Sequence, residues 1–279
     1  MSFIFAAKKP SEFNEHPQHY GAMTLSGYTC YQLYSDKNYD SPLFSENEIW
    51  FNVWGSANQG NISYHNYYIL SASTNVSVRR INSSNAGVYV NGADTGERIA
   101  FRSGLNPWLF HVKSGVSDGI FEVYYDGNQV YALEDANILN GAPITMVRLI
   151  GGSGQSINMV MRDAIVATHE IPCGLLLEEV AADISALNGW TQSGTELSTE
   201  TAGATFTMKP NAAAIATLST TKAIDGILPS FVGAASANVS SIDVNSDDTI
   251  QLSTTSTDYV GKVRTLAQAN AGLTVEAVA

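Results

Sequence analysis

The sequence predicts a mainly β protein: a jelly-roll β-sandwich over residues 1–172, followed by a smaller β-rich module with one or two short helices over 173–279. Three observations predict it. Apolar residues recur at every second position through the first part. Asx-Gly pairs punctuate those runs at short intervals. The aromatic content then collapses near Ile171-Pro172-Cys173-Gly174.

The alternation is plain in two segments. Ile49, Phe51 and Val53 alternate with Glu48, Trp50 and Asn52; Phe121, Val123 and Tyr125 alternate with Ile120, Glu122 and Tyr124. A period of two is that of a strand with two distinct faces. Further strands are read at 23–34, 64–71, 75–81, 86–91, 97–103, 107–113, 129–134, 144–150 and 156–168. Asn91-Gly92, Asp118-Gly119, Asp126-Gly127 and Asn140-Gly141 supply the positive φ that tight turns need. About ten short strands with regular turns make a sandwich or jelly roll.

The boundary rests on side-chain chemistry. Residues 1–172 hold 23 of the 27 aromatics, and only Trp190, Phe206, Phe231 and Tyr259 follow. In the second part 44 of 107 residues are Ala, Ser or Thr, so its core is of a different kind. Leu177, Val180, Ala181, Ile184 and Leu187 are spaced for a short helix with Asn188-Gly189 as its stop. Strands are expected at 203–209, 213–219, 239–244, 248–253 and 273–278, and a second helix within 258–270, ended before Gly272.

Composition removes several functions. The formal net charge is -12 and no basic stripe is present, Lys8-Lys9 and Arg79-Arg80 being the basic pairs. Such a chain repels phosphate backbones and anionic lipid surfaces, so neither nucleic acid nor a membrane is expected as a partner. No run approaches the roughly 20 apolar residues of a membrane span, and the amino terminus lacks the order of a secretory signal. Only 14% of residues are charged, against about 25% in an ordinary domain, which leaves a surface of Ser, Thr, Asn and Gly. Cys30 and Cys173 stand in no metal-like spacing and read as two core thiols.

Catalytic patterns are sparse. Glu122 and Asp126 share a strand face but lie about 13 Å apart at roughly 3.3 Å per residue. A retaining glycosidase needs about 5–5.5 Å and an inverting one about 6.5–9.5 Å. His16-x-x-His19 beside Glu15 is interrupted by Pro17. Gly151-Gly152-Ser153-Gly154 lacks the lysine of a phosphate loop. Asp94, Asp118 and Asp126 are calcium-type ligands with nothing to unite them. No cofactor, metal or catalytic residue is therefore assigned. The aromatic cluster around Trp50, Trp54, Tyr64, Tyr67 and Tyr68 supplies the binding candidates: Trp54, Tyr64, Tyr67 and Tyr68, for glycan or protein contact. Tyr67 and Tyr68 must point to opposite faces, so one of them leaves the core.

Residues 107–168 resemble the concanavalin A-like, laminin-G-like jelly-roll superfamily. The resemblance lies in the hairpin Gly-Ile-Phe-Glu-Val-Tyr-Tyr-Asp-Gly-Asn-Gln-Val (119–130), the apolar strand from Ile144 to Gly151, and the closing run Met161-Arg162-Asp163-Ala164-Ile165-Val166. Such domains bind glycans or proteins or serve as building blocks, and they occur in bacteriophage particles. The Ala/Ser/Thr-rich end, 266–278, is similar in texture to the C-terminal modules of phage structural proteins. These resemblances imply a non-enzymatic virion component of tail, fibre or capsid surface. It would contact other virion subunits, itself as a trimer or higher oligomer, and host-surface glycans. A free lectin-like carbohydrate-binding module and a polysaccharide-degrading enzyme are the alternatives.

Overall fold

In the computed structural model the chain divides into two compact units, Met1–Leu175 and Leu176–Ala279. The structure describes residues 3–14, 21–25, 28–34, 37–57, 65–82, 84–102, 104–151, 159–171, 173–175, 177–178, 182–194, 196–219, 226–227, 229–262 and 264–279.

The first unit contains strands β1 (Phe3–Ala7), β2 (Gly21–Leu25), β3 (Tyr28–Gln32), β4 (Asn38–Asp40), β5 (Glu48–Ala57), β6 (His65–Ser71) and β7 (Asn75–Arg80). They are followed by β8 (Asn85–Val90), β9 (Ala93–Ala100), β10 (Gly104–Lys113), β11 (Gly115–Tyr125), β12 (Asn128–Ile138), β13 (Ile144–Gly151) and β14 (Met159–Ala167). One antiparallel sheet runs β12-β11-β10-β5-β14-β3-β2, with β1 also paired to β14. The other runs β4-β13-β6-β7-β8-β9. The two antiparallel sheets pack as a β-sandwich, as the sequence predicts.

Alternation decides which side chains meet between the sheets. Phe51, Phe110, Val112, Phe121 and Val123 point inward from the first sheet, and Tyr67, Ile69, Val78, Val88 and Leu149 from the second. Full burial of each such side chain is worth about 1.5–3 kcal/mol, and truncating Phe110 to Ala would cost about 3–5 kcal/mol. The same alternation leaves a second set of side chains on the outer face of each sheet.

Turn chemistry follows the sequence at two hairpins, where Asn91-Gly92 and Asp126-Gly127 both carry positive φ at each position. Asp118-Gly119 is not a hairpin turn, because it lies within β11, where the pairing with β12 shifts register. A Cβ on Gly119 would fall 2.8 Å from the Ala136 carbonyl oxygen, so the glycine admits a close backbone approach instead. The predicted strand 23–34 is a hairpin, with Gly21 opposite Gln32 and Leu25 opposite Tyr28.

The second unit contains β15 (Leu177–Glu178), β16 (Ala182–Asn188), β17 (Thr191–Ser193), β18 (Glu196–Ser198), β19 (Thr205–Pro210), α1 (Ala212–Ser219) and β20 (Gly226–Ile227). It continues with β21 (Ser230–Gly233), β22 (Ser241–Val244), β23 (Asp248–Gln251), β24 (Thr257–Val260), β25 (Arg264–Thr265), α2 (Leu266–Ala271) and β26 (Leu273–Val278). Its main sheet, β16-β19-β26-β22-β23, buries Phe206, Ile242, Val244, Ile250, Leu273 and Val275.

Three local expectations are corrected here. Where a helix is expected from Leu176 to Leu187, the described residues form strands β15 and β16, and β16 pairs Asp183 with Lys209 and Ser185 with Thr207. Its apolar spacing does not form a buried stripe, since Leu187 is 42% exposed. The strand expected at 213–219 is helix α1: Asn211 Oδ1 accepts from the Ala214 N–H at 3.0 Å, an N-cap, and three alanines follow it. Among the described residues of 258–270 the helix is confined to α2. Thr265 and Gln268 cap it reciprocally, at 3.1 and 2.9 Å, and Gly272 ends it at φ 103°.

Candidate functional site

The outer face of the six-stranded sheet carries a polar and aromatic surface set by register. Asp40 lies opposite Arg148, Arg148 opposite Tyr68, Tyr68 opposite Ser77, Ser77 opposite Tyr89, and Tyr89 opposite Asp94. One transverse row therefore crosses β4, β13, β6, β7, β8 and β9. Beside it runs a second row, in which Asn66 faces Arg79, Arg79 faces Gly87, and Gly87 faces Arg98. Gly87 keeps the floor open: a Cβ there would come 3.2 Å from Arg98 Nη1 and 2.5 Å from Ile81 Cδ1.

Arg79 is at the centre. Its guanidinium carbon lies 4.1 Å from the Tyr89 ring centroid and 4.9 Å from that of Tyr68. Nε donates to Ser77 Oγ at 2.9 Å and Nη2 to Asn75 Oδ1 at 3.2 Å, while Ser77 Oγ also donates to Asn75. The two other arginines of these rows are neutralised. Arg148 meets Asp40 through two contacts of 2.6 Å, and Arg98 meets Asp94 at 2.8 and 2.9 Å. The Arg98 guanidinium holds the Asp94 carboxyl below its ordinary range.

The outer face of the other sheet is organised around His111. It lies opposite Trp50 on one side and Glu122 on the other. The Trp50 ring stacks on the imidazole at 4.0 Å with the planes 5° apart. His111 Nδ1 is 2.7 Å from Glu122 and Nε2 is 2.8 Å from Glu48. Both are hydrogen bonds at once only when each ring nitrogen carries a hydrogen. Glu122 also accepts from Gln129 Nε2 at 2.8 Å and from the Tyr124 hydroxyl at 3.3 Å. Burial, with the Glu122 charge second, raises the Tyr124 pKa.

The predicted binding residues part company. Tyr68 is on the outer face, half-buried, in the row just described. Tyr67 is in the core, fully buried against Trp108 and Phe110, so it offers no contact surface; its hydroxyl is pushed well above its usual pKa by burial. Trp54 is half-buried under residues 174–175, with Nε1 donating to the Leu175 carbonyl at 3.3 Å. Tyr64 lies outside the described residues, as do His16 and His19. Arg79 and Tyr89 were not singled out by the sequence as site residues. Polar alternation at Asn75, Ser77 and Arg79 was the available signal, but it reads as an ordinary solvated face until register brings Tyr68 and Tyr89 beside it.

The remaining candidates are each committed elsewhere. Glu122 belongs to the His111 cluster, and Asp126 sits in its turn paired with Arg102 at 3.4 Å. Asp94 pairs with Arg98 and Asp118 with Lys113. Among the described residues no group of three His, Cys, Asp or Glu side chains is disposed to hold a metal ion. Cys30 and Cys173 form no disulfide.

No family model and no curated protein matches the sequence. Solved structures do match. A native glycosidic hydrolase is 11% identical, over 60% of this chain and 97% of its own, with a TM-score of 0.41. Alginate lyase Aly36B is 10% identical over 58% and 89%, with a TM-score of 0.39. Galectin LEC-6 of Caenorhabditis elegans is 12% identical over 49% and 93%, with a TM-score of 0.33. At such identities the likeness is one of fold.

The expectation that the chain is not an enzyme does not stand, since the solved structures that match it include an alginate lyase and a glycosidic hydrolase. Nothing in the fold or the matches indicates a virion protein.

Proposed function

We propose that the sandwich of the first unit recognises a polysaccharide, laid along the outer face of the six-stranded sheet across β6, β7 and β8. One observation carries this reading: Tyr68 and Tyr89 flank a fixed arginine, with Asn66, Asn75, Ser77 and Gly87 beside it and the ion pairs Arg148–Asp40 and Arg98–Asp94 to either side. Aromatic rings offer flat apolar faces to sugar rings, and the neutral polar side chains offer hydrogen bonds to hydroxyls. With neighbouring strands about 4.8 Å apart, the two tyrosines stand roughly 10 Å from each other. The virion location and the trimeric or higher self-association expected from the sequence form no part of this proposal.

A panel of soluble polysaccharides in affinity electrophoresis tests it. At least one should retard the protein, and Tyr68→Ala and Tyr89→Ala should each weaken that binding with the fold intact by circular dichroism. Retardation by none, or binding that survives both substitutions, would overturn the reading.

A second reading, cleavage of the bound chain, is favoured by the same pair. Tyr68 and Tyr89 set phenols beside a fixed cation, and phenols can move a proton at a sugar carbon or oxygen. New chain ends should then appear with time and vanish in Tyr68→Phe or Tyr89→Phe while binding persists. Binding without any product across the panel would remove this second reading.

A further inference from the structure

The geometry points to a carboxylate-bearing sugar as the ligand of this face, with Arg79 as the residue that receives the carboxylate; this rests on the polysaccharide reading above. Arg79 has no carboxylate partner among the described residues, whereas Arg98 and Arg148 beside it do. Its acceptors, Ser77 Oγ and Asn75 Oδ1, are neutral, so they orient the guanidinium without pairing its charge, and Asp94, already bonded to Arg98, acts on it only through space. Among the described residues Nη1 meets no hydrogen-bond partner, and Arg79 is only partly buried. Tyr68 and Tyr89 hold the planar group from its sides. A guanidinium fixed by two bonds with donors to spare matches a carboxylate's two oxygens, and the binding entropy of the side chain is already spent.

Charge supports the same assignment. The chain as a whole is strongly acidic, at -12. The two rows nevertheless hold Arg79, Arg98 and Arg148 against Asp40 and Asp94, a local excess of one positive charge centred on Arg79. With a Debye length of about 8 Å at physiological salt, that local excess acts at contact range while distant carboxylates are screened. A hexuronate combines both requirements, a ring for the tyrosines and a carboxylate for the arginine.

Titration calorimetry of the full chain separates the outcomes. The probes are oligogalacturonate, oligoglucuronate and oligomannuronate, each beside the same oligosaccharide with its carboxyl groups reduced to alcohols. At least one uronate should bind, and its reduced form should bind at least tenfold more weakly. Arg79→Met should erase that preference. Asn75→Asp, which places a carboxylate against Arg79 without removing it, should erase it too and guards against a misfolded Arg79 variant. Equal binding of the uronate and reduced forms, or a preference that survives both substitutions, would overturn the role of Arg79 and leave the polysaccharide reading standing. No binding of either form by the wild type, together with no retardation by any neutral polysaccharide, would overturn both.

Discussion

The guanidinium of Arg79 rests 4.1 Å from the ring centroid of Tyr89, two residues that the register of β7 and β8 sets diagonally across one sheet face. A cation held over a ring at a partly exposed site is worth about 0.5–1 kcal/mol, and more when desolvated. Tyr89→Phe keeps the ring and should leave ligand affinity within about twofold, while Tyr89→Ala should lose roughly tenfold, about 1.4 kcal/mol. Calorimetry on the two variants, with whichever oligosaccharide binds the wild type, checks this. Equal losses in both would show that the hydroxyl, not the ring, matters.

His111 bonds three strands into one polar unit. Its ring is 7% exposed and its closer carboxylate, Glu122, is half-buried, whereas Glu48 is exposed. Replacing His111 by Ala takes from Glu122 its shortest hydrogen bond, and leaving a buried polar group unpaired costs about 1–3 kcal/mol, more where the group is charged. At this partly buried site about 2–3 kcal/mol is expected, while Glu48→Gln should cost under about 1 kcal/mol. Urea denaturation of the two variants measures the difference.

Asn52 is fully buried and holds the end of the first unit against β5. Its Nδ2 donates to the Leu175 carbonyl at 3.0 Å, and its Oδ1 accepts from the Gly174 N–H at 2.8 Å. Asn52→Ala leaves the Gly174 N–H without this acceptor, at about 1–3 kcal/mol if it stays dry, while the Leu175 carbonyl keeps the longer bond from Trp54 Nε1. Limited proteolysis should cut within 171–175 in the variant well before it does in the wild type. Unchanged cleavage would mean that the packing of Ile171 and Leu175 alone holds the segment.

The second unit should lose stability in acid through Asp247. Arg264 donates to its two oxygens at 2.7 and 2.8 Å, and that contact holds the carboxyl below its ordinary value of 3.8. A carboxyl depressed in the folded state contributes stability that is fully present above the unfolded pKa. That contribution fades as pH falls through the folded value, so the window lies below about pH 4. The effect is modest because Asp247 is largely solvent-exposed. Melting temperature against pH should flatten in that window for Asp247→Asn.

The legible parts of the fold were those with a short period. Ile49, Phe51 and Val53 announced their inward face because alternation is local, and Asn91-Gly92 and Asp126-Gly127 announced hairpins because positive φ at both positions is a demand on two residues. In the second unit such signals are weak. Ala212–Ala214 reads equally as strand or helix until Asn211 caps it, and Leu177 to Leu187 carries a helical spacing that pairing with β19 overrides.

The candidate site was legible in one residue out of several. Tyr67 and Tyr68 had to diverge, which put one of them outside, and Tyr68 is the one. By itself the sequence determined the β-sandwich, the change of core chemistry near residue 172, and the acidic, weakly charged surface. These are sums or short-range patterns in a chain. Only the tertiary structure decided that Arg79 stands between Tyr68 and Tyr89, and that His111 stands between Glu48 and Glu122. In a sheet, neighbours across strands are set by register, and register belongs to pairs of strands rather than to any one stretch of sequence.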